Sequence, residues 1–213
     1  MNTTTEKLLT IAIPAYNASE FLPKCLQSLV GSKQMESMEV LVVDDGSQND
    51  PTAVVEPFID QFPDSIRLIH KENGGHGSVI NFAAKIAVGK YMKILDADDW
   101  VIADNMTELL QYLAHTTSDV VITNFDMVDA EGRFRQPFKM EGVEFKRDYS
   151  MDELAALPEC VYACSTFHGI FYRTEFYRKM NIRVSERVFY EDQEYATLPF
   201  YGVSSVSFLD NVQ

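Results

Sequence analysis

The sequence predicts an α/β fold in which helices flank a central, mostly parallel β-sheet. Short apolar segments alternate with amphipathic helical patterns through the first half of the chain. The segments are apolar at successive positions, as expected for strands that are buried on both faces of a parallel sheet. The alternation itself is typical of right-handed βαβ units. A length of 213 residues is enough for one domain with a large core.

The predicted strands are short runs of mainly apolar and often β-branched residues. They lie at 8–13, 40–43, 66–69, 91–95 and 120–123. The predicted helices carry apolar residues at helical spacing. They lie at 20–30, 78–88 and 105–115, with a further helix that begins at Pro51. Proline suits the first helical position, and Ser19 is the expected N-cap of the first helix because its hydroxyl accepts hydrogen bonds from backbone N–H groups.

The second half of the chain shows a less regular pattern. Residues 125–138 predict a β-hairpin that turns at 130–132, and residues 151–157 and 191–201 are expected to be helical. No linker, internal repeat or low-complexity tract divides the chain. We therefore expect a single domain over 1–213. Its first half, about 1–115, has the pattern of a nucleotide-binding fold, and its second half, about 116–213, is more variable.

The charge and the cysteine content exclude several classes of protein. The chain carries 32 acidic and 18 basic side chains, which gives a formal net charge of -14. This balance argues against a nucleic-acid partner and against a basic helix on a membrane surface. Three cysteines do not make a disulfide framework, and we find no signal peptide or transmembrane segment in the sequence. These features predict a cytoplasmic protein.

Polar residues are concentrated where the first four predicted strands end. They are Tyr16 and Asn17, then Asp44 and Asp45, then 73–78, then 96–99. Ligands of open α/β sheets bind in the crevice at the carboxyl ends of the strands, so these four loops are expected to form one site. Turns are polar in any protein, but that explanation accounts poorly for so many carboxylates in so few loops.

The acidic run that follows the fourth strand predicts a metal site. Like charges packed together repel one another unless a cation is present, and Mg²⁺ or Mn²⁺ prefers carboxylates together with phosphate oxygens. Asp98 and Asp99 are the candidate ligands. A metal-bound diphosphate is the natural partner, because the metal lets an acidic protein hold an anion. The loop 73–78 precedes a helix, whose N-terminal N–H groups also favour anions.

Four segments, in this order, resemble the successive signatures of family 2 glycosyltransferases. They are IAIPAYN at 11–17, VVDDGS at 42–47, NGG at 73–75 and LDADDW at 95–100. The resemblance implies a GT-A fold, which is a Rossmann-like sandwich, together with a nucleotide-diphosphate sugar donor and a divalent cation, Mn²⁺ or Mg²⁺. It also implies transfer with inversion at the anomeric carbon. UDP is the expected nucleotide, because the base pocket of the family usually suits uracil.

The resemblance assigns nucleotide-binding roles at matching positions. Tyr16 matches a tyrosine that stacks on the base, in a pocket lined by Pro14 and Ala15. Asp45 matches the carboxylate that hydrogen-bonds the base, and Asp44 supports the same turn. The remaining nucleotide-binding positions are Asn73, Gly74 and Asp96, of which Asp96 matches the acid near the ribose. Asp98, or its neighbour Asp99, matches the acid that binds the metal, and the sequence leaves open which of the two is the ligand.

The phosphate side departs from the commonest family pattern. An arginine often precedes the asparagine that Asn81 matches, but Ile80 occupies that place here. His76 or Lys85 could replace the arginine as the positive group that faces the phosphates. Alternatively, the metal alone balances the phosphate charge.

A late acidic motif supplies the expected catalytic base. Inverting transfer requires a carboxylate that accepts the proton of the attacking hydroxyl. Asp192, next to Glu191, takes that position by resemblance; the alternative is an ordinary acidic first turn of a helix. His168 is expected either near the acceptor and the donor phosphates or in a structural role. Trp100 is expected either to face the donor sugar or to pack beneath its loop.

The sequence therefore predicts a metal-dependent inverting glycosyltransferase. It would use a UDP-sugar and a glycan or glycolipid acceptor, as in the synthesis of bacterial cell-surface polysaccharides, in the cytoplasm or at the inner face of the membrane. A catalytically idle sugar-nucleotide-binding relative is the alternative, and a nucleotidyltransferase is disfavoured because no glycine-rich loop follows the first strand. The chain is short for this family, so we expect either that it is truncated after the apolar run 203–209 or that it is a minimal catalytic domain.

Overall fold

The computed structural model describes residues 6–129 and 131–212. The strands are β1 (Leu9–Ala15), β2 (Met38–Asp44), β3 (Ile66–His70), β4 (Tyr91–Ile94), β5 (Val120–Val128), β6 (Phe134–Phe138), β7 (Asp148–Tyr149), β8 (Ile170–Arg173) and β9 (Val206–Val212). The α-helices are α1 (Leu22–Gly31), α2 (Thr52–Gln61), α3 (His76–Ile86), α4 (Met106–His115), α5 (Met151–Leu154), α6 (Glu159–Cys164), α7 (Thr174–Met180) and α8 (Glu191–Thr197). All the predicted strands and helices of the first half are therefore present, with ends that shift by a few residues.

The strands form one sheet in the order β3-β2-β1-β4-β8-β5-β9-β7, with β6 paired to β5. The neighbours from β3 to β4 are parallel, and β5 is parallel to β9. Strand β8 is antiparallel to both β4 and β5, and it lies between them. The predicted α/β fold with a mostly parallel sheet is confirmed, since only β6, β7 and β8 of the described strands run opposite to the rest. The two halves of the chain share this sheet.

Helices cover both faces of the sheet and bury two separate apolar clusters. In β1, Leu9, Ile11 and Ile13 point to the cluster that contains the apolar sides of α1 and α4, and Ala12 points to the other. The second cluster contains the apolar side of α3 and residues of α6, α7 and α8. Successive side chains of a strand point to opposite faces, which explains why the central strands are apolar at every position.

Two local predictions are corrected. Ser19 does not cap α1: the helix begins at Leu22, and the Ser19 hydroxyl donates to the carbonyl oxygen of Asn49 at 3.1 Å. The helix predicted at 191–201 ends at Thr197 and continues as the 3₁₀-helix Leu198–Gly202, because Pro199 has no N–H for an α-helical hydrogen bond. The predicted hairpin is present as β5–β6, although Ala130 of its expected turn lies outside the described residues.

The start of α3 packs tightly against the segment that leads into α8. A Cβ atom on Gly77 would lie 2.0 Å from the carbonyl oxygen of Ser185, and one on Gly75 would lie 2.9 Å from the backbone nitrogen of Arg187. The N–H of Arg187 donates to the carbonyl oxygen of Gly74 at 3.1 Å. Only glycine permits this approach, so the NGG loop and the late acidic helix are held together through backbone contact.

This contact makes a stability prediction that separates two helical glycines. We expect Gly77→Ala to destabilise the protein by about 1–3 kcal/mol, because the new methyl group overlaps a backbone carbonyl. The control is Gly31→Ala, where the nearest atom to the new Cβ is the Ala103 Cβ at 3.6 Å. Alanine favours a helix, so that variant should unfold at the same temperature as the wild type or higher. Equal melting temperatures for the two variants would contradict the predicted overlap.

Candidate functional site

The loops after β1, β2 and β3 are joined at the carboxyl edge of the sheet. The Asn17 N–H donates to the Ser47 hydroxyl at 2.9 Å, and the Asn17 side-chain oxygen accepts from the Gln48 N–H at 2.8 Å. Asn17 has a φ of 52°, a left-handed conformation that asparagine tolerates better than most residues. The structure thus brings the predicted loops together at one edge.

Asp45 organises the loop after β3. Its carboxylate, 4 % exposed, accepts hydrogen bonds from the Gly74 N–H at 3.0 Å and the Gly75 N–H at 2.7 Å. It also pairs with Lys71 and accepts from the Ser78 hydroxyl at 3.3 Å. Both oxygens are therefore occupied by the protein itself. A direct bond from Asp45 to a base stays a prediction, whereas its hold on the NGG loop is observed.

Asp44 holds the preceding turn. Its carboxylate accepts from the Ser47 N–H at 3.0 Å and lies 2.9 Å from the Nδ1 atom of His70. Burial acts to raise the pKa of Asp44, but the hydrogen bonds from Ser47 and His70 outweigh it and hold that pKa below its ordinary value. Asp44 is consequently ionised at neutral pH and supports the turn as expected.

A cleft of about 200 Å³ opens between the loop after β1 and the acidic loop after β4. Its lining is Pro14, Tyr16, Asn17, Ala18, Phe21, Asp96, Ala97 and Asp98. Tyr16 is 52 % exposed, so its ring face is available to a planar ligand. Four residues that the sequence assigned to the nucleotide or the metal, Pro14, Tyr16, Asp96 and Asp98, thus lie together, while Ala15 is buried in the core.

The acidic loop after β4 has the donor chemistry that a divalent cation requires. Partial burial of its carboxyl group raises the pKa of Asp98, and the neighbouring charges of Asp99 and Asp96 raise it further. A cation relieves this repulsion, so these carboxylates fit Mn²⁺ or Mg²⁺. Within the described residues no group of three or more His, Cys, Asp or Glu side chains forms a ready-made metal site. A cation at this loop would complete its coordination with phosphate oxygens and water.

His76 joins the acidic loop to the late acidic helix. Its Nε2 atom lies 3.2 Å from the Asp96 Oδ1 atom, and its Nδ1 atom lies 2.8 Å from the Glu191 Oε1 atom. The second contact is at ion-pair distance. Burial lowers the pKa of His76, but Asp96 and Glu191 more than compensate and raise it above its ordinary value. One imidazole therefore spans the predicted donor side and the predicted catalytic side.

Asp192 lies in the first turn of α8, beside this contact. It is half-buried, and its Oδ2 atom accepts from the side-chain amide of Gln193 at 3.1 Å. The preceding Tyr190 has a φ of 69°, a strained left-handed conformation for a bulky residue. Glu194 fixes the other side of the turn by accepting from the Ser185 N–H at 2.7 Å. The turn that presents Asp192 is thus held at both ends.

Two residues predicted for the phosphate side have other surroundings. The amide of Asn81 donates to the Val184 carbonyl oxygen at 2.8 Å and to Glu186 at 3.0 Å, and it accepts from the Val184 N–H at 2.9 Å. Asn81 therefore fastens α3 to the segment before α8. Lys85 lies in the last turn of α3, at the opposite end from the loop. Of the two candidates for the missing arginine, only His76 is near the acidic loop.

His168 and Trp100 line a second and larger cavity of about 480 Å³. The Nδ1 atom of His168 lies 3.3 Å from the Asp99 Oδ2 atom, so this histidine faces the acidic loop. The Nζ atom of Lys24 lies 3.0 Å from the centre of the Trp100 ring, a cation–π contact. Trp100 lines this cavity and is absent from the lining of the smaller cleft.

Comparison with known proteins decides the family. The model of glycosyl transferase family 2 matches residues 10–180 of the chain.

The chain belongs to glycosyltransferase family 2.

Curated relatives agree with this membership. The chain is 29 % identical over 192 residues to an uncharacterized glycosyltransferase of Mycoplasma pneumoniae. The matched segment covers 87 % of the chain and 59 % of that protein. It is 31 % identical over 152 residues to glycosyltransferase GlyG of Streptococcus pneumoniae, which covers 70 % of the chain and 48 % of that protein. The chain thus spans about half the length of these relatives.

The fold matches two solved structures. The structure of Staphylococcus aureus TarS in complex with UDP is 20 % identical, with a TM-score of 0.76 over 97 % of the chain and 60 % of that chain. The mannosyltransferase PcManGT of Pyrobaculum calidifontis in complex with GDP-Man and Mn²⁺ is 19 % identical. The TM-score is 0.67, and the match covers 99 % of this chain and 57 % of the PcManGT chain. The predicted GT-A fold is confirmed. None of the described helices has the length and hydropathy that crossing a bilayer requires.

Two lysines that contact residues of this candidate site were missed by the sequence analysis. Lys71 directly follows β3 and pairs with Asp45, so its position at the same sheet edge was the available signal. Lys93 lies within β4, 2 % exposed, and donates to the carbonyl oxygens of Phe167 and His168. Burial lowers the pKa of Lys93 to about 8, against the opposing effect of Asp99 and Asp96. Its apolar neighbours in the sequence gave no hint of this contact.

The bridge through His76 makes a pH prediction. A folded-state pKa that is raised by ion pairs gives stability that is complete below the unfolded value of about 6.5 and is lost as the pH rises through the folded value. Between about pH 6 and about pH 9, the melting temperature of the wild type should therefore fall more than that of His76→Gln. His115→Gln, at the exposed end of α4, is the control and should follow the wild type. Parallel curves for the wild type and His76→Gln would exclude a stabilising bridge.

Proposed function

We propose that the chain transfers a sugar from a UDP-sugar to a hydroxyl group of an acceptor, with a divalent cation and with inversion at the anomeric carbon. One observation carries this proposal above the rest. His76 lies between Asp96 of the acidic loop and Glu191 of the late acidic helix, at 3.2 Å and 2.8 Å. Two motifs that are far apart in the sequence therefore lie together, which supports a displacement reaction between two substrates.

The smaller cleft is the proposed nucleotide site. The ring of Tyr16 would stack on the base, with Pro14 beside it, and Asp96 would accept hydrogen bonds from the ribose. Asn73 and Gly74 belong to the loop that Asp45 holds against this edge. The structures of TarS with UDP and of PcManGT with GDP-Man support a nucleotide in this fold.

Asp192 is the proposed base. The acceptor hydroxyl loses its proton to the Asp192 carboxylate while its oxygen attacks the anomeric carbon. The bond from that carbon to the diphosphate oxygen breaks on the opposite side, so the configuration inverts and UDP leaves with the bonding pair. The contacts of Glu191 and Glu194 hold the turn that carries Asp192. Proximity and orientation of this kind contribute a large share of enzymatic rate enhancement.

Asp98 and Asp99 would hold the cation. When bound, the cation neutralises the negative charge that develops on the departing diphosphate. Repulsion among the carboxylates of the acidic loop already favours a positive charge here. His168 lies beside the acidic loop, in contact with Asp99, and would donate a hydrogen bond to the diphosphate. A cytoplasmic location, with access to glycan or glycolipid acceptors at the inner face of the membrane, belongs to this proposal.

The test combines binding with turnover on the full chain. We expect UDP and UDP-sugars to raise the melting temperature in the presence of Mn²⁺, because a ligand that binds the folded state stabilises it by mass action. Removal of the cation with EDTA should reduce this shift and abolish transfer. No shift by any nucleotide sugar, with or without Mn²⁺, would overturn the proposed donor site. A clear shift without turnover across a broad donor and acceptor screen would identify an idle relative.

A further inference from the structure

The larger cavity is continuous with the acidic loop of the proposed donor site. It lies between the segment after β4 and the β5–β6 hairpin, and its volume of about 480 Å³ is in the range of small-molecule sites. Asp99 lines this cavity, while Asp98 lines the smaller cleft. The two adjacent aspartates of the acidic loop therefore line different cavities.

The hairpin supplies an aromatic wall. Phe125 of β5 stacks on Phe138 of β6, with ring centres 4.6 Å apart and planes 12° from parallel. Phe134 lines the same side of β6 and is 59 % exposed, and Trp100 lines the cavity from the segment after β4. Flat aromatic faces make dispersion contacts with the C–H face of a sugar ring. An exposed phenylalanine on this strand is otherwise costly to leave in water.

Carboxylates stand beside these rings. Asp99 and Asp126 both line the cavity. Among the described lining residues Lys93 is the only lysine or arginine, and it is 2 % exposed with its amino group directed to backbone carbonyl oxygens. Arg135 of β6 is paired with Asp129. The carboxylate of Asp126, which has no part in the proposed cation site, therefore offers hydrogen-bond acceptors, and no accessible lysine or arginine is among the described lining residues.

This combination selects a ligand class. Ionised carboxylates accept hydrogen bonds from hydroxyl groups. They would repel a phosphate or a second carboxylate, and an alkyl chain would bury them without partners. We propose that the larger cavity binds the acceptor as an uncharged sugar ring and rejects sugar phosphates and uronic acids. This inference rests on the proposed transferase function and specifies the acceptor of that reaction.

The single tryptophan of the chain, Trp100, reports occupancy of this cavity directly. With UDP and Mn²⁺ present, Trp100 fluorescence is followed while the full chain is titrated with neutral methyl hexosides, methyl N-acetylglucosaminide, and the matching uronates and 6-phosphates. We expect saturable binding of at least one neutral sugar, with its charged counterparts at least about tenfold weaker. Charged sugars that bind as tightly as the neutral ones, or no saturable signal for any sugar, would overturn the inference.

Two variants with matched controls locate the effect. Phe134→Ala should weaken the neutral sugar at least about fivefold, whereas Tyr201→Ala, an exposed aromatic outside the lining, should leave it unchanged. Asp126→Asn should reduce the difference in affinity between neutral and charged sugars. Asp60→Asn on α2 should leave that difference unchanged. Unchanged affinities in both cavity variants would contradict the assignment.

The stabilisation by UDP, measured on the same samples, separates the two proposals. A normal UDP shift without any sugar signal defeats only the acceptor inference. Absence of both defeats the proposed function as well.

Discussion

Replacement of Asp192 by asparagine is expected to reduce sugar transfer by about 10²–10⁴-fold while UDP binding is kept. Asparagine preserves the shape of the side chain and its place in the first turn of α8, but it cannot accept the proton of the acceptor hydroxyl. The loss should appear in kcat, because the proton is transferred only in the transition state. Thermal shift by UDP and Mn²⁺ measures the retained binding, and UDP release measures the lost transfer.

A matched variant distinguishes this loss from an effect on helix stability. Asp152 is the second residue of α5, just as Asp192 is the second residue of α8, and it is exposed. Asp152→Asn removes the same favourable charge from a helix N-terminus, worth about 0.3–1 kcal/mol, and should leave transfer unchanged. Transfer by Asp192→Asn within about twofold of the wild type would overturn the assignment of Asp192 as the base.

Asp45→Asn should lower the stability of the ligand-free protein by about 3 kcal/mol and abolish UDP binding. The buried carboxylate of Asp45 accepts from the Gly74 and Gly75 N–H groups and pairs with Lys71. An amide can accept at only one of its two ends, so one donor is left facing an NH₂ group and the charge of Lys71 is left unpaired. For a chain of this length the melting temperature should fall by roughly 6–12 °C.

The ligand-free measurement is what makes this prediction sharp. If Asp45 served only to hydrogen-bond the base, the ligand-free variant would have the melting temperature of the wild type. The two proteins would then differ only in the presence of UDP. Asp60→Asn, an exposed aspartate on α2, is the control and should change neither property. A melting temperature of Asp45→Asn equal to that of the wild type would show that the observed hydrogen bonds do not hold the NGG loop.

Much of the donor side could be predicted because it depends on local pattern. Parallel strands place their carboxyl ends at one edge, so polar residues after four such strands had to meet there. Tyr16, Asp96 and Asp98 do line one cleft. The chemistry of the acidic loop followed in the same way, because adjacent carboxylates repel wherever the fold puts them.

The partners of individual side chains could not be predicted, because they depend on contacts between distant segments. Asn81 looked like a phosphate-side residue, yet its amide binds the backbone of Val184, 103 residues away. Ser19 had the right residue type for an N-cap, but α1 begins three residues later, at Leu22, and the Ser19 hydroxyl donates to a carbonyl oxygen of the loop after β2. A helix cap is a weak interaction of about 1 kcal/mol, and a tertiary contact readily overrides it.

The sequence by itself determined the α/β class, the strand-end loops of the donor side and the family, since periodicity and short motifs are properties of neighbouring residues. Only the tertiary structure decided that β8 enters the sheet between β4 and β5, and that His76 joins Asp96 to Glu191. The close approach of Gly77 to Ser185 belongs to the same group of contacts. Their physical basis is packing across the sheet, where the free energy depends on residues that only folding brings together.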